Sequence, residues 1–187
     1  MRKRVLLAVL AAGILPVVAF AASAAAAPGQ SQTFHFNSLV DQLGSPPGQT
    51  TNGSSDCPSA VLNDFVDINA TGNGVTHQTV NGNGAWFTST FTGEATITFW
   101  SQGTVDQNGN VTSVGGTEDL EVTGHLTNWD GFSGNRQNAV AHGTIDFHGT
   151  VVGTGAPISF HNNNHFAWLP GADQNGPPSF AINDVHC

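Results

Sequence analysis

Residues 94–100 have the sequence EATITFW, in which polar and apolar side chains alternate. In an extended chain Ala95, Ile97 and Phe99 share one face, and the residues between them share the other face with Trp100. A period of two residues is typical of a β-strand that buries one face. The stretch therefore predicts a half-buried strand, and the same alternation recurs along most of the chain.

Turn signals divide the rest of the chain into short segments of this kind. Asn-Gly turns occur at residues 81–84 (NGNG) and 106–110 (DQNGN), and residues 41–58 are rich in Gly, Pro and Ser, which predicts a loop. Antiparallel neighbours joined by short turns form a meander, which removes its exposed edges by closing on itself. The sequence therefore predicts an all-β fold, a closed barrel of eight or nine strands, with a β-sandwich as the alternative. The strands are placed near residues 32–38, 61–70, 75–80, 85–92, 95–105, 111–127, 137–150, 156–168 and 179–185.

The N-terminus has the three parts of a secretory signal peptide. Cations at positions 2–4 precede an apolar run over residues 5–20, and small residues follow up to Ala26. We expect removal of residues 1–26, which leaves residues 27–187 as a single domain. No charged stop-transfer segment follows the apolar run, so we expect release outside the cell, with a retained membrane anchor as the alternative.

The mature part of the chain is strongly acidic. Its one cation, Arg136, stands against thirteen carboxylates, and the formal net charge changes from −9 to −12 when the three N-terminal cations are removed. Such a surface repels nucleic acid and anionic lipid, so we expect neither as a partner. Solubility is one consequence of this charge, and attraction of a cationic partner is the alternative.

The two cysteines, Cys57 and Cys187, enclose most of the mature chain. An exported protein folds in an oxidising compartment, which favours a disulfide between them. The chain-entropy model gives about 4–5 kcal/mol for closing a loop of this length. We predict one disulfide that holds the C-terminus in place. A reactive thiol is the alternative, and no neighbouring cation in the sequence supports it.

Several short motifs occupy the C-terminal two-thirds of the chain. They are a loop with WDGF at residues 129–132, Asn135 and Asn138, the run HGT at 142–144, the run SFH at 159–161 with His165, and the terminal Cys187. With these motifs the chain resembles a group of small secreted proteins from high-GC Gram-positive bacteria, which implies secretion and a β fold but no activity. In architecture the predicted meander is also similar to the eight-stranded barrels of allene-oxide cyclases and dirigent proteins, although none of their catalytic motifs has a counterpart here.

Five of the eight histidines lie in the last third of the chain. If residues 137–150 and 156–168 form a hairpin around a tight turn at residues 153–154, the numbers of opposed residues add up to 307. Phe147 would then lie opposite Phe160 as an apolar pair. The other face of this hairpin would carry histidines and a carboxylate.

The polar face of this hairpin is a candidate metal site. In the register above, two cross-strand pairs form, one of two histidines and one of histidine with aspartate. Opposed Cβ atoms lie about 4.5–5.5 Å apart, close enough for two side chains to bind one ion. Imidazole and carboxylate groups are ligands of zinc and copper. The sequence therefore predicts a zinc or copper site, with structural hydrogen bonding and general acid–base use as alternatives, at His142, Asp146, His161 and His165.

Tryptophan side chains and the one mature cation form the other candidate site. Aromatic rings at the mouth of a barrel stack on flat ligands, and a cation receives an anionic group. Packing in the core is the alternative role for aromatic residues of a β protein. The candidate ligand-binding residues are Trp86, Trp100, Trp129, Arg136 and Trp168.

No nucleophile elbow, phosphate-binding loop or dinucleotide-binding fingerprint occurs in the sequence. We therefore expect a secreted, non-catalytic protein that binds a small apolar or aromatic ligand and needs no cofactor. The alternative is a metal-assisted barrel enzyme that uses the histidine and aspartate cluster of the last long hairpin. The direction of that polar face distinguishes the two hypotheses. A face turned to a closed lumen would favour an enzyme or a ligand site, and a face turned to solvent would count against the metal site and leave a simple surface role.

Overall fold

The computed structural model describes residues 30–44, 56–81, 83–107, 111–135, 138–170 and 179–187. These residues form seven β-strands and one short helix, and the strands follow one another in chain order within one antiparallel sheet. This confirms the predicted all-β meander. The predicted signal peptide, residues 1–26, lies outside the described residues. The elements are β1 (Gln30–Gly44), α1 (Ser59–Asn63), β2 (Phe65–Asn81), β3 (Gly84–Val105), β4 (Val111–Asn135), β5 (Ala139–Val151), β6 (Pro157–Trp168) and β7 (Phe180–His186).

Strands β2 and β3 continue across glycines at which the sequence predicts breaks. Each of them joins two predicted segments, β2 across Gly72 and β3 across Gly93, and these two glycines are Cα partners. A Cβ on Gly93 would collide with the carbonyl oxygen of Thr71, and a Cβ on Gly72 with that of Thr92. Glycine is therefore needed here for the close approach of two backbones and not for a turn.

Three stretches differ from the sequence-based assignment. Residues 41–44, predicted as loop, continue β1, and residues 59–63 form α1 where the sequence predicts the start of a strand. Residues 130–135, predicted as loop, continue β4 and pair with both β3 and β5. Two hydrogen-bonded ladders outweigh the weak preference of Gly131 and Gly134 for turns, because strand propensity depends strongly on the neighbouring strands.

The last long hairpin, formed by β5 and β6, has the predicted register. Phe147 is the Cα partner of Phe160, so opposed residue numbers add up to 307. The two rings stack with their centroids 5.0 Å apart. Gly153, in the connection, has a φ of +85°, which glycine adopts without strain. The chain therefore reverses at the position that the sequence predicts.

The sheet is strongly curled. Phe99 on β3 and Phe160 on β6 contact each other with ring centroids 6.3 Å apart. Three strand spacings separate β3 from β6, which would be about 14 Å in a flat sheet. We call the concave face, which carries the buried side chains, the inner face, and the opposite one the outer face. The helix α1 packs against the inner core through Val61.

Two apolar clusters occupy the inner face. The larger one, the main cluster, includes Ile97, Val122 and Phe147, whose side chains are completely buried. Burial of a large apolar side chain stabilises the fold by about 1.5–3 kcal/mol. The smaller one, the second cluster, consists of Ala139, Ala141, Phe166 and Trp168, with Phe132 packed against it.

Cys57 and Cys187 form the predicted disulfide, with their Cα atoms 5.0 Å apart. The bond ties the end of β7 to the segment before α1. Strands β1 and β7 are the edges of the sheet, and no ladder joins them among the described residues. The predicted closed barrel is therefore not confirmed, and a single sheet does not match the alternative of a β-sandwich. No helix in the described part is long and apolar enough to cross a membrane.

Candidate functional site

A band of polar side chains crosses the inner face between the two apolar clusters. Strand pairing from β2 to β7 places one residue of each strand in a single row, in which Gly143 alone has no polar side chain. Asn128 and Asn162 lie in the next row, on either side of Ile145. We call the following set the polar belt: Thr76, Ser89, Asn128, Asp130, Asn162, Asn164 and Asn183.

The polar belt is almost completely removed from solvent except at Ser89, which is half-buried. Asn128, Asp130 and Asn164 are each 4% exposed, and Asn162 is 6% exposed. Polar side chains at this depth are normally hydrogen-bonded, because an unpaired group costs about 1–3 kcal/mol. Each buried polar atom of the belt is therefore expected to have a hydrogen-bond partner.

Hydrogen bonds link members of the belt to one another. The Nδ2 atom of Asn128 donates to Oδ2 of Asp130 at 2.6 Å, and the hydroxyl oxygens of Thr76 and Ser89 lie 2.9 Å apart. Within the described part of the chain, the buried Oδ1 atoms without a hydrogen-bond partner include those of Asn128, Asp130, Asn162 and Asn164. Four buried acceptors on one face require donors, so the belt is suited to a group that supplies them.

Asp130 is the only ionisable residue that is fully buried among the described residues. Burial raises the pKa of its carboxyl group from 3.8 to about 7, and the hydrogen bond from Asn128 opposes this change only in part. Its Cα partners, Ser89 and Gly143, do not ionise. Near neutral pH the carboxyl group therefore exists in both protonation states, so it donates or accepts according to what it contacts.

Gly143 contributes no side chain to the middle of the belt. This buried residue of β5 lies between Asp130 of β4 and Asn164 of β6. Two strand spacings put the Cα atoms of Asp130 and Asn164 about 9–10 Å apart. Because Gly143 has no side chain, no side chain of β5 stands between the carboxyl group of Asp130 and the amide group of Asn164.

Phenylalanine rings border the belt on both sides. Phe91 is the Cα partner of Asn128, and Phe166 follows Asn164 by two residues on the same face of β6. Both rings are buried, Phe91 in the main cluster and Phe166 in the second cluster. The belt therefore combines acceptor oxygens with apolar walls, which is the usual composition of a site for a small ligand.

The polar belt was not predicted from the sequence. Asparagine is common in turns, and Asn-Gly pairs dominate the turn signals of this chain. The alternation of inward-facing and outward-facing residues along the strands could have predicted the belt. Asn128 and Asp130 have the same phase as the buried Leu126, and the two asparagines of β6 have the phase of Phe160.

The outer face carries all the histidines of the protein. Among them, the rings of His142 and His165 lie with centroids 4.1 Å apart and planes at 79°. Burial lowers the pKa of His142, and the charge of His165 lowers it further. The eight residues are His35, His77, His125, His142, His148, His161, His165 and His186.

The four predicted metal ligands form two separate pairs. His142 pairs with His165, and Nδ1 of His161 lies 2.7 Å from Oδ1 of Asp146. Four residues along β5 separate the pairs by about 13 Å, too far for one ion. No group of three or more His, Cys, Asp or Glu side chains in the described ranges is arranged to hold a metal ion.

The polar face of this hairpin points to solvent. The side chains of Asp146 and His161 are 47% and 43% exposed, while Ile145 and Phe147 of the same strand lie in the main cluster. The polar face of the hairpin is therefore turned to solvent and not to a lumen, and its histidines line no lumen.

The predicted aromatic site is divided between the two faces. Trp168 is buried in the second cluster, whereas Trp86 and Trp129 are 43% and 37% exposed on the outer face. Trp100 is half-buried, and its Nε1 has no hydrogen-bond partner among the described residues. Arg136 lies outside the described residues. The strand period separates these side chains because Trp129 stands between two inward-facing members of the belt.

Comparisons with known proteins found no match from which the function of this site could be taken. No protein-family model matches the chain, and no match was found among curated proteins or among solved structures. The resemblance to small secreted bacterial proteins therefore stays a prediction.

Proposed function

We propose that this protein is an exported, non-catalytic binding protein that holds a small ligand on its polar belt. The observation that carries the proposal is the set of four buried Oδ1 atoms without partners. Because each unpaired group costs about 1–3 kcal/mol, apolar side chains at these positions would give a more stable fold. A bound molecule that donates hydrogen bonds supplies the missing partners and accounts for the presence of these side chains.

The ligand has two parts in this proposal. Its polar part carries the hydrogen-bond donors, and its apolar or aromatic part lies against Phe91 and Phe166, which border the belt. Amide side chains do not titrate near neutral pH and do not serve as nucleophiles. A belt built mainly from amides therefore suits binding rather than catalysis.

Two features support export and one supports a barrel-like enclosure. Residues 1–26 have the composition of a signal peptide, and the Cys57–Cys187 disulfide is of the kind that persists in an oxidising compartment.

The contact between Phe99 and Phe160 across the inner face brings distant strands together. We infer from this curl that the sheet surrounds its ligand as a closed barrel would.

Binding of 2-phenylethanol, a small aromatic molecule with one hydroxyl donor, tests the proposal. We expect the mature, disulfide-bonded protein to bind it with a Kd of about 1 mM or lower in titration calorimetry. Asn164→Leu keeps the size of the side chain and removes an acceptor, so it should weaken binding about tenfold. It should also stabilise the ligand-free protein.

Asn163→Leu is the matched control for this experiment. Asn163 is the exposed neighbour of Asn164 on the outer face, so its replacement should leave the affinity for 2-phenylethanol unchanged. Equal losses with both leucine variants, or failure of the wild-type protein to bind both 2-phenylethanol and its amine analogue phenethylamine, would contradict binding at the belt.

A second candidate function is capture of zinc or copper by His142 and His165 on the outer face. The 4.1 Å between their ring centroids favours it, because two directly opposed imidazoles on neighbouring strands are close enough to bind one ion. Such a site would be a pair and not the predicted set of four ligands. Water would occupy the remaining positions around the ion.

Titration with CuCl2 tests this second function. We expect His165→Ala to weaken the tightest copper binding about tenfold, since one of the two imidazoles is lost. His35→Ala is the control, because His35 is also on the outer face but has Val75 as its Cα partner. Equal effects of the two substitutions would show that copper binds diffusely to the surface histidines.

A further inference from the structure

We infer that the group held by the polar belt is a protonated amine, so that the ligand is a small organic ammonium ion with an apolar or aromatic part. This inference rests on the proposed function and narrows it from hydrogen-bond donors in general to one charged donor.

The inner face offers oxygen ligands and one negative charge. The belt supplies hydroxyl, amide and carboxyl oxygens, and Asp130 is the only fully buried ionisable residue of the described part. Every histidine lies on the outer face, and both cysteines are in the disulfide. The nitrogen and sulfur ligands that select zinc or copper are therefore absent from the described inner face. These oxygens match a hard, positively charged group.

The charge of the belt favours a monovalent group. A buried charge is stable only when it is paired and hydrogen-bonded. One carboxylate, that of Asp130, balances one positive charge. Calcium takes roughly six to eight oxygen ligands, several of them commonly carboxylates. An ammonium group brings a single charge and three N–H donors, which suits one carboxylate surrounded by amide oxygens.

We place this group over Gly143, which puts no side chain between Asp130 and Asn164. An ammonium nitrogen lies about 2.7–2.9 Å from a carboxylate oxygen that accepts its hydrogen bond. A nitrogen between Asp130 and Asn164 would reach the unpartnered Oδ1 atom of each side chain. The third N–H donor would then point to one of the amide oxygens in the neighbouring row of the belt.

Two features around the belt favour a cation over a neutral donor. The mature chain carries thirteen carboxylates and one arginine, a formal net charge of −12, so it attracts cations and repels anions at a distance. Aromatic rings attract cations at short range, and Phe91 and Phe166 lie next to members of the belt in the strand register. No lysine or arginine occurs among the described residues to pair with Asp130 instead.

Binding of an amine is coupled to the proton of Asp130. In the free protein the carboxyl group has a pKa of about 7. The groups that face it, Ser89 on β3, Gly143 on β5 and the amides of Asn128 and Asn164, do not ionise. Below pH 7 the carboxyl group must lose a proton before it pairs with an ammonium ion. The affinity for an amine should therefore fall about tenfold for each pH unit below 7, and that for a neutral alcohol should stay constant.

Three probes of one shape test the inference: phenethylamine, 2-phenylethanol and phenylacetate. In titration calorimetry at pH 8, the mature protein should bind phenethylamine about tenfold more tightly than 2-phenylethanol. Phenylacetate should not bind, because its charge has the same sign as that of Asp130. At pH 6 the advantage of the amine over the alcohol should be lost.

Asp130→Asn isolates the effect of the charge. In this variant the affinity for phenethylamine should fall to that for 2-phenylethanol and should no longer depend on pH. The affinity for 2-phenylethanol, to which asparagine still offers an amide oxygen, should fall by less than that for phenethylamine, and a cooperative urea transition shows that the variant is folded. Asp146→Asn, the same substitution on the outer face, should change neither affinity.

The outcomes separate this inference from the proposed function. If 2-phenylethanol binds as tightly as phenethylamine at pH 8, or if Asp130→Asn leaves amine binding intact, the ammonium inference is wrong while the binding function stands. Tighter binding of CaCl2 than of phenethylamine would also overturn the inference. If none of the three organic probes binds, the proposed function itself fails.

Discussion

Asp130→Asn is expected to raise the free energy of unfolding of the ligand-free protein by about 4 kcal/mol at pH 8. The carboxyl group has a pKa of about 7 in the folded protein, against 3.8 for an ordinary aspartate. Each unit of this difference corresponds to about 1.4 kcal/mol. Above pH 7 the folded protein holds a buried charge that the unfolded chain exposes to water. Asparagine has the same shape without the charge, so it removes this cost.

The sign of the pH dependence follows from proton binding. Between pH 3.8 and about 7 the folded protein binds more protons at Asp130 than the unfolded chain does, so wild-type stability falls as the pH rises through this range. At lower pH both states are protonated at this position, and the contribution of Asp130 to the pH dependence disappears. The stabilising effect of the substitution should therefore develop between these two pH values and stay constant above them.

Urea denaturation of the wild type and the variant at a series of pH values measures this effect. Subtracting one stability profile from the other removes the contributions of the histidines and the other carboxylates, which the two proteins share. Asp146→Asn is the control, because the side chain of Asp146 is 47% exposed, and it should lower stability by less than about 1 kcal/mol. A stability difference that does not vary with pH would contradict a raised pKa at Asp130.

The buried carboxyl group of Asp130 destabilises the protein near neutral pH, and this cost indicates that the group serves a function. Proteins retain such groups where binding or catalysis requires them, although most positions are selected for consistency with the fold. A cationic ligand would pair with the charge of Asp130 and offset its cost. Addition of phenethylamine at pH 8 should therefore stabilise the wild type more than the Asp130→Asn variant.

Replacement of both Cys57 and Cys187 by Ser should lower the free energy of unfolding by about 4–5 kcal/mol. The disulfide joins residues that are 130 positions apart, and the loss of chain entropy in the unfolded state grows with loop length. A domain of this size has a total stability of about 5–15 kcal/mol. The variant should therefore retain only part of the stability that keeps the protein folded.

In the folded protein, loss of the disulfide should affect β7 more than the other strands. This edge strand pairs with β6 alone, and it carries Asn183 of the polar belt and Val185 of the main cluster. Without the disulfide its C-terminal end is no longer tied to the segment before α1, so it should fray. Opening of β7 would expose the belt to water and weaken ligand binding.

Guanidinium denaturation of the wild type, the reduced wild type and the double serine variant tests the contribution of the disulfide. The reduced protein and the variant should have equal stability, because both lack the bond. Hydrogen exchange should also be faster in β7 than in the central strand β3 of the variant. A loss of less than about 1 kcal/mol would show that the bond contributes little to stability.

Features that depend on spacing along the chain could be predicted from the sequence. The alternation in residues 94–100 predicts a strand, and turn signals at known distances predict antiparallel neighbours. The register of the last hairpin followed from the position of its turn near Gly153, and the disulfide followed from the presence of two cysteines in a chain for which export is predicted. Each of these inferences needs only local geometry or a count of residues.

Features that depend on contacts between distant residues could not be predicted in this way. Gly72 and Gly93 are read as turn signals when each is considered alone, but they are Cα partners and allow two backbones to approach each other. Residues 130–135 have the composition of a loop, but pairing on both sides makes them a strand. In both cases the neighbouring strand decides the conformation.

Which residues share a face of each strand follows from the sequence alone, because a period of two residues is a local property of the extended chain. Which of the two faces is inside depends on the folded sheet, since it is the curl bringing Phe99 and Phe160 together that creates an interior. The face of each strand that carries the large apolar residues turns inward, because their burial contributes most to stability. The same alternation then carries Asp130 and its asparagine neighbours into the interior and every histidine to the outer face.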